Sequence, residues 1–137
     1  LTVSTIEPRK NHRFVFEAFK KLWCNNMSVN WVIVGRPGWK TEELQKEMRE
    51  HKAYQDTLWI LNDLNDTELQ YSYQHARALV FPSIVEGYGL PIIESLKSGL
   101  PVLASDTPIH REVGKENILY FDLSQPDSLV SLISEIE

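Results

Sequence analysis

Several features that would restrict the fold or the location of the protein are scarce in this 137-residue sequence. Cys24 is the single cysteine, so no disulfide can form within the chain, which is typical of a reducing compartment. No uninterrupted apolar run exceeds four residues, so no segment is predicted to span a bilayer. Lysine and arginine total 14 against 19 aspartate and glutamate residues, and the resulting charge of −5 argues against a nucleic-acid partner.

The sequence does contain the composition of one folded domain, which we place over residues 1–137. Apolar residues make up 42% and charged residues 24%, as in ordinary globular proteins. The chain begins at Leu1 inside a strand-like stretch and ends at Glu137 inside a helix-like one. We therefore expect a fragment of a larger, two-domain protein.

Short apolar segments alternate with segments of helical character along the chain. The predicted strands are Thr2–Thr5, Trp31–Val34, Leu58–Leu61, Ala78–Phe81, Pro101–Ala104 and Ile118–Phe121. Helices are predicted from Asn11 to Trp23, from Thr41, from a capping box of Asn65 and Glu68, between Pro91 and Gly99, and from Ser124 or Asp127. This alternation predicts an α/β fold, a doubly wound parallel sheet of about six strands with helices on both faces.

Ligands of such sheets bind beyond the carboxyl ends of the strands, and the loop before the fourth main helix carries the richest chemistry there. Gly87 and Gly89 flank Tyr88 and allow a ligand to approach the backbone. The helix that starts near Leu90 offers free amides and a dipole that suit a phosphate. Glu94 lies one helical turn further on, about 6 Å along the axis, where it can accept hydrogen bonds from a ribose diol.

An acidic and a cationic group complete this predicted site. Glu86 precedes the helix and suits the hydroxyls of a second sugar, while Arg9 or Lys10, after the first strand, suits a diphosphate. The alternative for each is a solvated surface charge. A glycosidase pair made of Glu86 and Glu94 is a further alternative, but it leaves the cationic loop unexplained.

These segments resemble the retaining glycosyltransferases of the GT-B fold, in the large family called family 4 or group 1, which includes mannosyl- and glucosyltransferases. The matching blocks are Thr5–Asn11, Asp66–Leu69 with Ala76–Ala78, Phe81–Glu94 and Ser98–Ser105. The similarity runs from Leu1 to about Phe121 and covers only the C-terminal, donor-binding half of such enzymes. The resemblance implies that the sheet is Rossmann-like.

The resemblance also implies roles for individual residues. By this resemblance, Glu94 would hold the hydroxyls of the donor's ribose and Glu86 would contact the hydroxyls of the transferred sugar. Lys10 would neutralise the departing diphosphate, so Glu86 and Lys10 would be the catalytic residues. The backbone around Gly87, Tyr88, Gly89 and Leu90 would reach the sugar and the distal phosphate. Many relatives carry an arginine where this chain has Ser4 and Thr5, and Arg9 is the candidate replacement. Contacts to the base are expected near Asn62–Leu64.

The implied reaction is transfer of a hexose from a nucleotide-diphosphate sugar, with GDP-mannose favoured, to a glycan or lipid-linked acceptor with retention of configuration. The acceptor would bind to the missing N-terminal half, so the fragment alone is expected to be inactive. No cofactor and no metal are expected, since no Asp-x-Asp motif occurs. The full-length protein is expected in the cytoplasm, where it can associate with the inner face of the membrane. The open alternatives are a GT-B-like epimerase or phosphorylase and a non-catalytic nucleotide-sugar-binding module.

The histidines show no metal-ligand spacing. We expect His12, His51 and His75 on helix surfaces, and His110 with Arg111 in a solvated loop.

Overall fold

Strands and helices alternate along the chain in the computed structural model, which describes residues 1–136. The strands are β1 (Thr2–Val3), β2 (Trp31–Val34), β3 (Leu58–Leu61), β4 (Leu79–Phe81), β5 (Val102–Ser105) and β6 (Leu119–Phe121). The helices are α1 (His12–Cys24), α2 (Glu42–Glu50), α3 (Asp66–His75), α4 (Leu90–Lys97), α5 (Pro108–Gly114) and α6 (Asp127–Ile136), with a 3₁₀ turn at Pro8–Lys10.

Local sequence signals fix several of these boundaries. The side chain of Asn65 accepts from the Glu68 amide, and the Glu68 carboxylate accepts from the Asn65 amide, which confirms the predicted capping box. Helix α4 begins after Gly89, whose φ of 66° lies in the left-handed region that favours glycine. Gly99, with a φ of 76°, follows its end. The tip of α4 is therefore placed by sequence alone.

All strand pairs are parallel, but they form two three-stranded sheets, ordered β1-β2-β3 and β4-β5-β6. The prediction of one six-stranded sheet is wrong in this respect. Strand β1 is only two residues long, and at its border with β4 the Thr2 hydroxyl donates to the Val80 carbonyl at 3.0 Å. The Val80 amide donates to the Leu1 carbonyl at 2.7 Å, so the two sheets are neighbours.

The resulting sequence of strands across both sheets is β3-β2-β1-β4-β5-β6, and the winding direction reverses between β1 and β4. Such a switch point opens a crevice at the carboxyl ends of the two strands on either side of it. The loops that follow β1 and β4 therefore border the same crevice.

Apolar side chains are buried on both faces of the sheets. One core includes Val80 and Leu103 with residues of α1, α2 and α6, and the other includes Leu79 and Phe81 with residues of α3 and α4. Successive residues of β4 thus point to opposite cores, as in strands covered by helices on both sides. This confirms the predicted doubly wound arrangement.

Candidate functional site

The loops after β1 and β4 are joined at the switch point. The Ile84 amide donates to the Arg9 carbonyl at 2.9 Å, which ties the β4–α4 loop to the 3₁₀ turn after β1. The loop after β2 supports that turn from behind, because the Gly38 amide donates to the Ile6 carbonyl at 2.9 Å. A Cβ on Gly38 would lie 2.4 Å from that carbonyl oxygen, so only glycine allows this approach.

An ion pair between Lys10 and Glu86 lies at the centre of this junction. Lys10 Nζ is 2.5 Å from Glu86 Oε2, and the two side chains are only 12% and 15% exposed. Ser83 Oγ donates to the same carboxylate oxygen at 3.0 Å. Residues 76 positions apart therefore form one partly buried, hydrogen-bonded unit, whose geometry the fold fixes before any ligand binds.

The pKa of Glu86 reflects this surrounding. Burial by itself raises the pKa of the Glu86 carboxyl, but the Lys10 ammonium, the Ser83 hydroxyl and the Gly87 amide together outweigh burial and hold the pKa below its ordinary value. Glu86 is thus a carboxylate at neutral pH. Both side-chain donors share Oε2, so Oε1 has no side-chain donor among residues 1–136 and can accept from a ligand hydroxyl.

The backbone around Lys10 determines where its ammonium lies. Asn11 adopts a left-handed conformation (φ 61°) between the 3₁₀ turn and α1, and asparagine tolerates this region better than most residues. The Lys10 amide donates to the Glu7 carbonyl at 3.0 Å and closes the turn. This sharp change of direction places Lys10 beside the β4–α4 loop.

The tip of α4 lies at the other side of the β4–α4 loop. The amides of Tyr88, Gly89 and Leu90 donate to no acceptor among residues 1–136, and the side chains of Tyr88 and Leu90 point into solvent. Free amides at a helix start attract anions, and the helix dipole adds to that attraction. Their availability fits the predicted contact with a phosphate.

Glu94 lies in the second turn of α4 and is exposed. Within residues 1–136 no hydrogen bond or ion pair joins it to Glu86 or Lys10, so the two predicted carboxylates are separate groups. Glu94 interacts with the Tyr73 hydroxyl of α3, which is buried and has no hydrogen-bond partner of good geometry in that part of the chain. Burial raises the pKa of Tyr73, and the Glu94 carboxylate raises it further, both as a weak acceptor for the hydroxyl and through its charge.

Arg9 occupies a different position from Lys10. Its guanidinium extends into solvent, 62% exposed, and pairs with Glu7 at 2.7 Å, which raises the Arg9 pKa. Next to this pair a cleft of about 470 Å³ is lined by Pro8, Trp39 and Lys40 as well. Arg9 therefore lies after β1 at the same edge of the sheet as Lys10, but no hydrogen bond or ion pair within residues 1–136 joins its side chain to Glu86, and it faces the Trp39 loop.

Two of the histidine predictions are wrong. His12 is buried at the start of α1, with Nε2 3.2 Å from Ser4 Oγ, and burial followed by the Lys10 charge lowers its pKa to about 4. His110 is fully buried below the β4–α4 loop, whereas Arg111 is in solvent and forms two 2.8 Å contacts with Asp106. The spacing of apolar residues does not predict the burial of either histidine. His12 is buried where the chain turns sharply into α1, and His110 is buried by a loop that is distant in sequence.

No cluster of three metal-ligating side chains is found among residues 1–136. In the same range no helix combines the length and the apolar character needed to cross a bilayer.

A parallel, doubly wound α/β domain with a cation, an acid and free helix-tip amides at its switch point has a fold of the Rossmann-like class, in which ligands bind at that point. The sequence also matches the family model "Glycosyl transferases group 1" over residues 1–137. The chain belongs to that family, which confirms the resemblance inferred from its motifs.

The curated relatives that the chain matches include bacterial mannosyltransferases. The chain is 36% identical to the serotype-specific mannosyltransferase WbdA of Escherichia coli over 135 residues, which is 98% of this chain and 17% of that protein. It is also 36% identical to the O-antigen chain mannosyltransferase RfbU of Salmonella typhimurium over 139 residues, covering 100% of this chain and 38% of RfbU. The chain thus spans well under half of these relatives.

Solved structures share the fold at low sequence identity. The C-terminal domain of the group 1 glycosyltransferase LpcC from Francisella tularensis has a TM-score of 0.80 at 16% identity, over 98% of this chain and 73% of that one. The HepE protein of Anabaena, solved with UDP-glucose, has a TM-score of 0.78 at 18% identity, over 98% of this chain and 38% of HepE. The fold is therefore that of glycosyltransferase C-terminal domains.

Proposed function

We propose that this chain is the donor-binding domain of a larger hexosyltransferase, which takes mannose from GDP-mannose and transfers it to a glycan or lipid-linked acceptor. The observation that carries the proposal is the Lys10–Glu86 unit beside the unpaired amides of Tyr88, Gly89 and Leu90. A cation and free amides suit a diphosphate, and the neighbouring carboxylates suit sugar hydroxyls. The names of the curated mannosyltransferases support mannose as the sugar.

The proposed reaction mainly requires stabilisation of the negative charge on the departing diphosphate. The bond between the anomeric carbon and the distal phosphate oxygen breaks with both electrons going to the diphosphate. The acceptor's hydroxyl oxygen bonds to the same carbon on the same face, and its proton passes to the departing phosphate oxygen. Lys10 has three N–H donors, of which Glu86 uses one, so the ammonium can contact the diphosphate without leaving Glu86. The α4 amides share that charge.

Each of the two carboxylates has a separate part in this proposal. Glu86, held in place by Lys10 and Ser83, accepts hydroxyls of the transferred sugar through Oε1, the oxygen that neither side chain uses. Glu94, exposed in the second turn of α4, accepts the ribose diol. Arg9 is the second cation, and it contributes only after exchanging its contact with Glu7 for the diphosphate.

The remaining features of the proposal concern the whole protein. The acceptor binds to a second domain outside this chain, transfer retains the anomeric configuration, and no metal takes part. The protein works in the cytoplasm, at the inner face of the membrane where a lipid-linked acceptor is found.

Calorimetric titration of the 137-residue chain with GDP, UDP, ADP and GDP-mannose tests donor binding. We expect measurable heat with the guanine nucleotides and weaker or no binding of UDP and ADP. The absence of heat with every nucleotide would contradict the proposal. In the full-length protein, the anomeric configuration of the product tests retention, and turnover in the presence of EDTA tests metal independence.

A further inference from the structure

A chain of hydrogen bonds runs from the Glu86 carboxylate into the protein interior. Ser83 Oγ donates to Glu86 at 3.0 Å, and the Ser83 carbonyl accepts from Ser105 Oγ at 2.6 Å. His110 Nδ1 lies 2.8 Å from the Ser105 carbonyl and 3.1 Å from Ser105 Oγ. Ser83, Ser105 and His110 are at most 1% exposed, so this chain of contacts is shielded from water.

The protons of this chain can be assigned from the acceptors alone. A carbonyl oxygen only accepts, and the Ser83 oxygen lies 2.6 Å from Ser105 Oγ whereas the Phe81 oxygen lies 3.5 Å away, so the hydroxyl proton of Ser105 is donated to the Ser83 carbonyl. The Ser105 carbonyl also only accepts, so His110 Nδ1 must carry a proton and donate it there. His110 is therefore the neutral Nδ1–H tautomer, and burial, which lowers its pKa, favours that neutral form.

The shape of the ring alone does not account for a histidine at position 110, because its other nitrogen has no partner within the described residues. Its Nε2 is buried without a partner among residues 1–136, and a buried polar atom without a hydrogen bond destabilises the folded state. The ring also packs edge-on against Phe81, at 5.4 Å between centroids, where a phenyl group would serve as well. The polar contribution of the ring is thus its Nδ1–H group.

We propose that His110 and Ser105 are positioning residues that hold the Ser83–Glu86 turn, so that the Glu86 carboxylate meets Lys10 and the transferred sugar. Ser105 lies in strand β5 and His110 in helix α5, so two elements outside the β4–α4 loop hold the inner end of that loop. The tie itself follows from the contacts of the protein alone. Its effect on the donor sugar rests on the proposed function.

Substitutions at these two positions separate the Nδ1–H bond from the volume of the ring. Ser105→Ala removes the hydroxyl that holds Ser83. His110→Asn keeps an N–H donor near the position of Nδ1, His110→Gln places its amide nearer that of Nε2, and His110→Phe keeps only the shape. Ser95→Ala is the matched control, because Ser95 is equally buried and its hydroxyl has no partner in the described part of the chain.

The first measurement needs no ligand. Carbon-detected NMR of the 137-residue chain gives the Glu86 pKa and the tautomer of His110. We expect the Nδ1–H tautomer in the wild type, and a Glu86 pKa that rises toward the ordinary value of a glutamate in Ser105→Ala and in His110→Phe. His110→Asn should restore most of the wild-type pKa and His110→Gln should not. Ser95→Ala should leave it unchanged.

The second measurement compares GDP-mannose with GDP. Because Glu86 is proposed to contact only the sugar, Ser105→Ala should weaken GDP-mannose about tenfold and leave GDP within about twofold. A general loss of structure would weaken both ligands alike. If the wild type binds neither nucleotide, the proposed function fails, while the Glu86 titration still decides the positioning role.

The inference is overturned if Ser105→Ala leaves the Glu86 pKa at its wild-type value, or if Ser95→Ala shifts it equally. An Nε2–H tautomer of His110 would also overturn it. Where His110→Phe does not fold, Ser105→Ala and His110→Asn give the same decision.

Discussion

The two carboxylates of the candidate site differ in how much the protein itself holds them. Glu86 is 15% exposed and accepts hydrogen bonds from Lys10 and Ser83, on a loop tied from below through Ser105. Glu94 is exposed, and no side chain among residues 1–136 forms a hydrogen bond of good geometry or an ion pair with it, although its charge acts on the buried Tyr73 hydroxyl. The side of the site that carries Glu86, Lys10 and the adjacent His12 is thus set in place by the fold, and we call it the ordered flank. The side that carries Glu94 is left open for a ligand, and we call it the open flank.

This difference matches the parts that the two groups have in the proposed reaction. A group near the reacting carbon gains from a fixed position, since the electrostatic environment then needs no rearrangement during the reaction. A group that only holds the ribose needs no such support, because the nucleotide brings its own paired hydroxyls. Substitutions on the two flanks should therefore differ in what they change.

The largest effect is expected from Lys10→Met, on the ordered flank. Loss of the ammonium removes the charge proposed to stabilise the departing diphosphate and leaves Glu86 without its counter-ion. We expect kcat/KM of the full-length protein to fall about 10²- to 10³-fold, the size typical of removing one such donor. Steady-state kinetics with GDP-mannose measures this.

Lys97→Met is the matched control for Lys10→Met, since Lys97 is an exposed lysine at the far end of α4. It should leave turnover within about twofold. Equal losses in the two variants would show that the net charge of the domain, and not the position of Lys10, governs the rate.

A second effect on the ordered flank concerns stability at low pH. The pKa of His12 is about 4 in the folded protein, against 6.5 for an unhindered histidine, so between these values the unfolded chain binds more protons. Stability must therefore fall as the pH is lowered through this window. From pH 7 to pH 4.5, His12 should cost about 2 kcal/mol of unfolding free energy.

Urea unfolding of the wild type and of His12→Gln at both pH values isolates this contribution. Glutamine does not titrate and can still bond to Ser4. The variant should lose about 2 kcal/mol less than the wild type over the interval. Parallel losses would mean that His12 is protonated in the folded protein or accessible to water. His110 is unchanged in both proteins, so its own lowered pKa cancels.

Sequence patterns predicted the open flank better than the ordered one. The start of α4 follows from Gly89 and Pro91, which act on the nearest few residues, and Glu94 is one turn further along the same helix. The Lys10–Glu86 contact joins residues 76 positions apart, so only the order of the strands, and not local spacing, brings them together. Motif resemblance placed both residues in one site, but it gave no distance between them.

Two features escaped sequence reasoning for the same physical reason. The burial of His110 depends on Ser83 and Ser105, which are 22 positions apart and meet only because β4 and β5 pair. The division into two sheets depends on the two-residue length of β1 and on the Thr2 hydroxyl, which bonds to β4. Apolar runs predict that strands form, but they do not determine how far the pairing between neighbours extends.

A smaller effect is expected from Glu94→Gln, on the open flank. The amide cannot accept two hydrogen bonds as a carboxylate does, so the ribose is held less tightly. We expect the Kd for GDP, measured by calorimetry, to rise about tenfold. Glu86→Gln should leave GDP within about twofold and weaken GDP-mannose, because GDP has no transferred sugar.

Glu116→Gln serves as the control for both substitutions, since Glu116 is an exposed glutamate outside the site. If Glu86→Gln weakens GDP as much as Glu94→Gln does, the two carboxylates do not divide ribose and sugar between them.

The smallest effect is expected from Tyr73→Phe, next to Glu94. The Tyr73 hydroxyl is buried without a partner of good geometry among residues 1–136, so removing it should raise the free energy of unfolding by up to about 1 kcal/mol and leave GDP affinity unchanged. Tyr71→Phe, on the exposed side of the same helix, is the control. A loss of stability together with weaker GDP binding would mean that Tyr73 donates to Glu94 and orients it. The two flanks would then both be held by buried hydroxyls, and the contrast between a fixed and an open carboxylate would no longer hold.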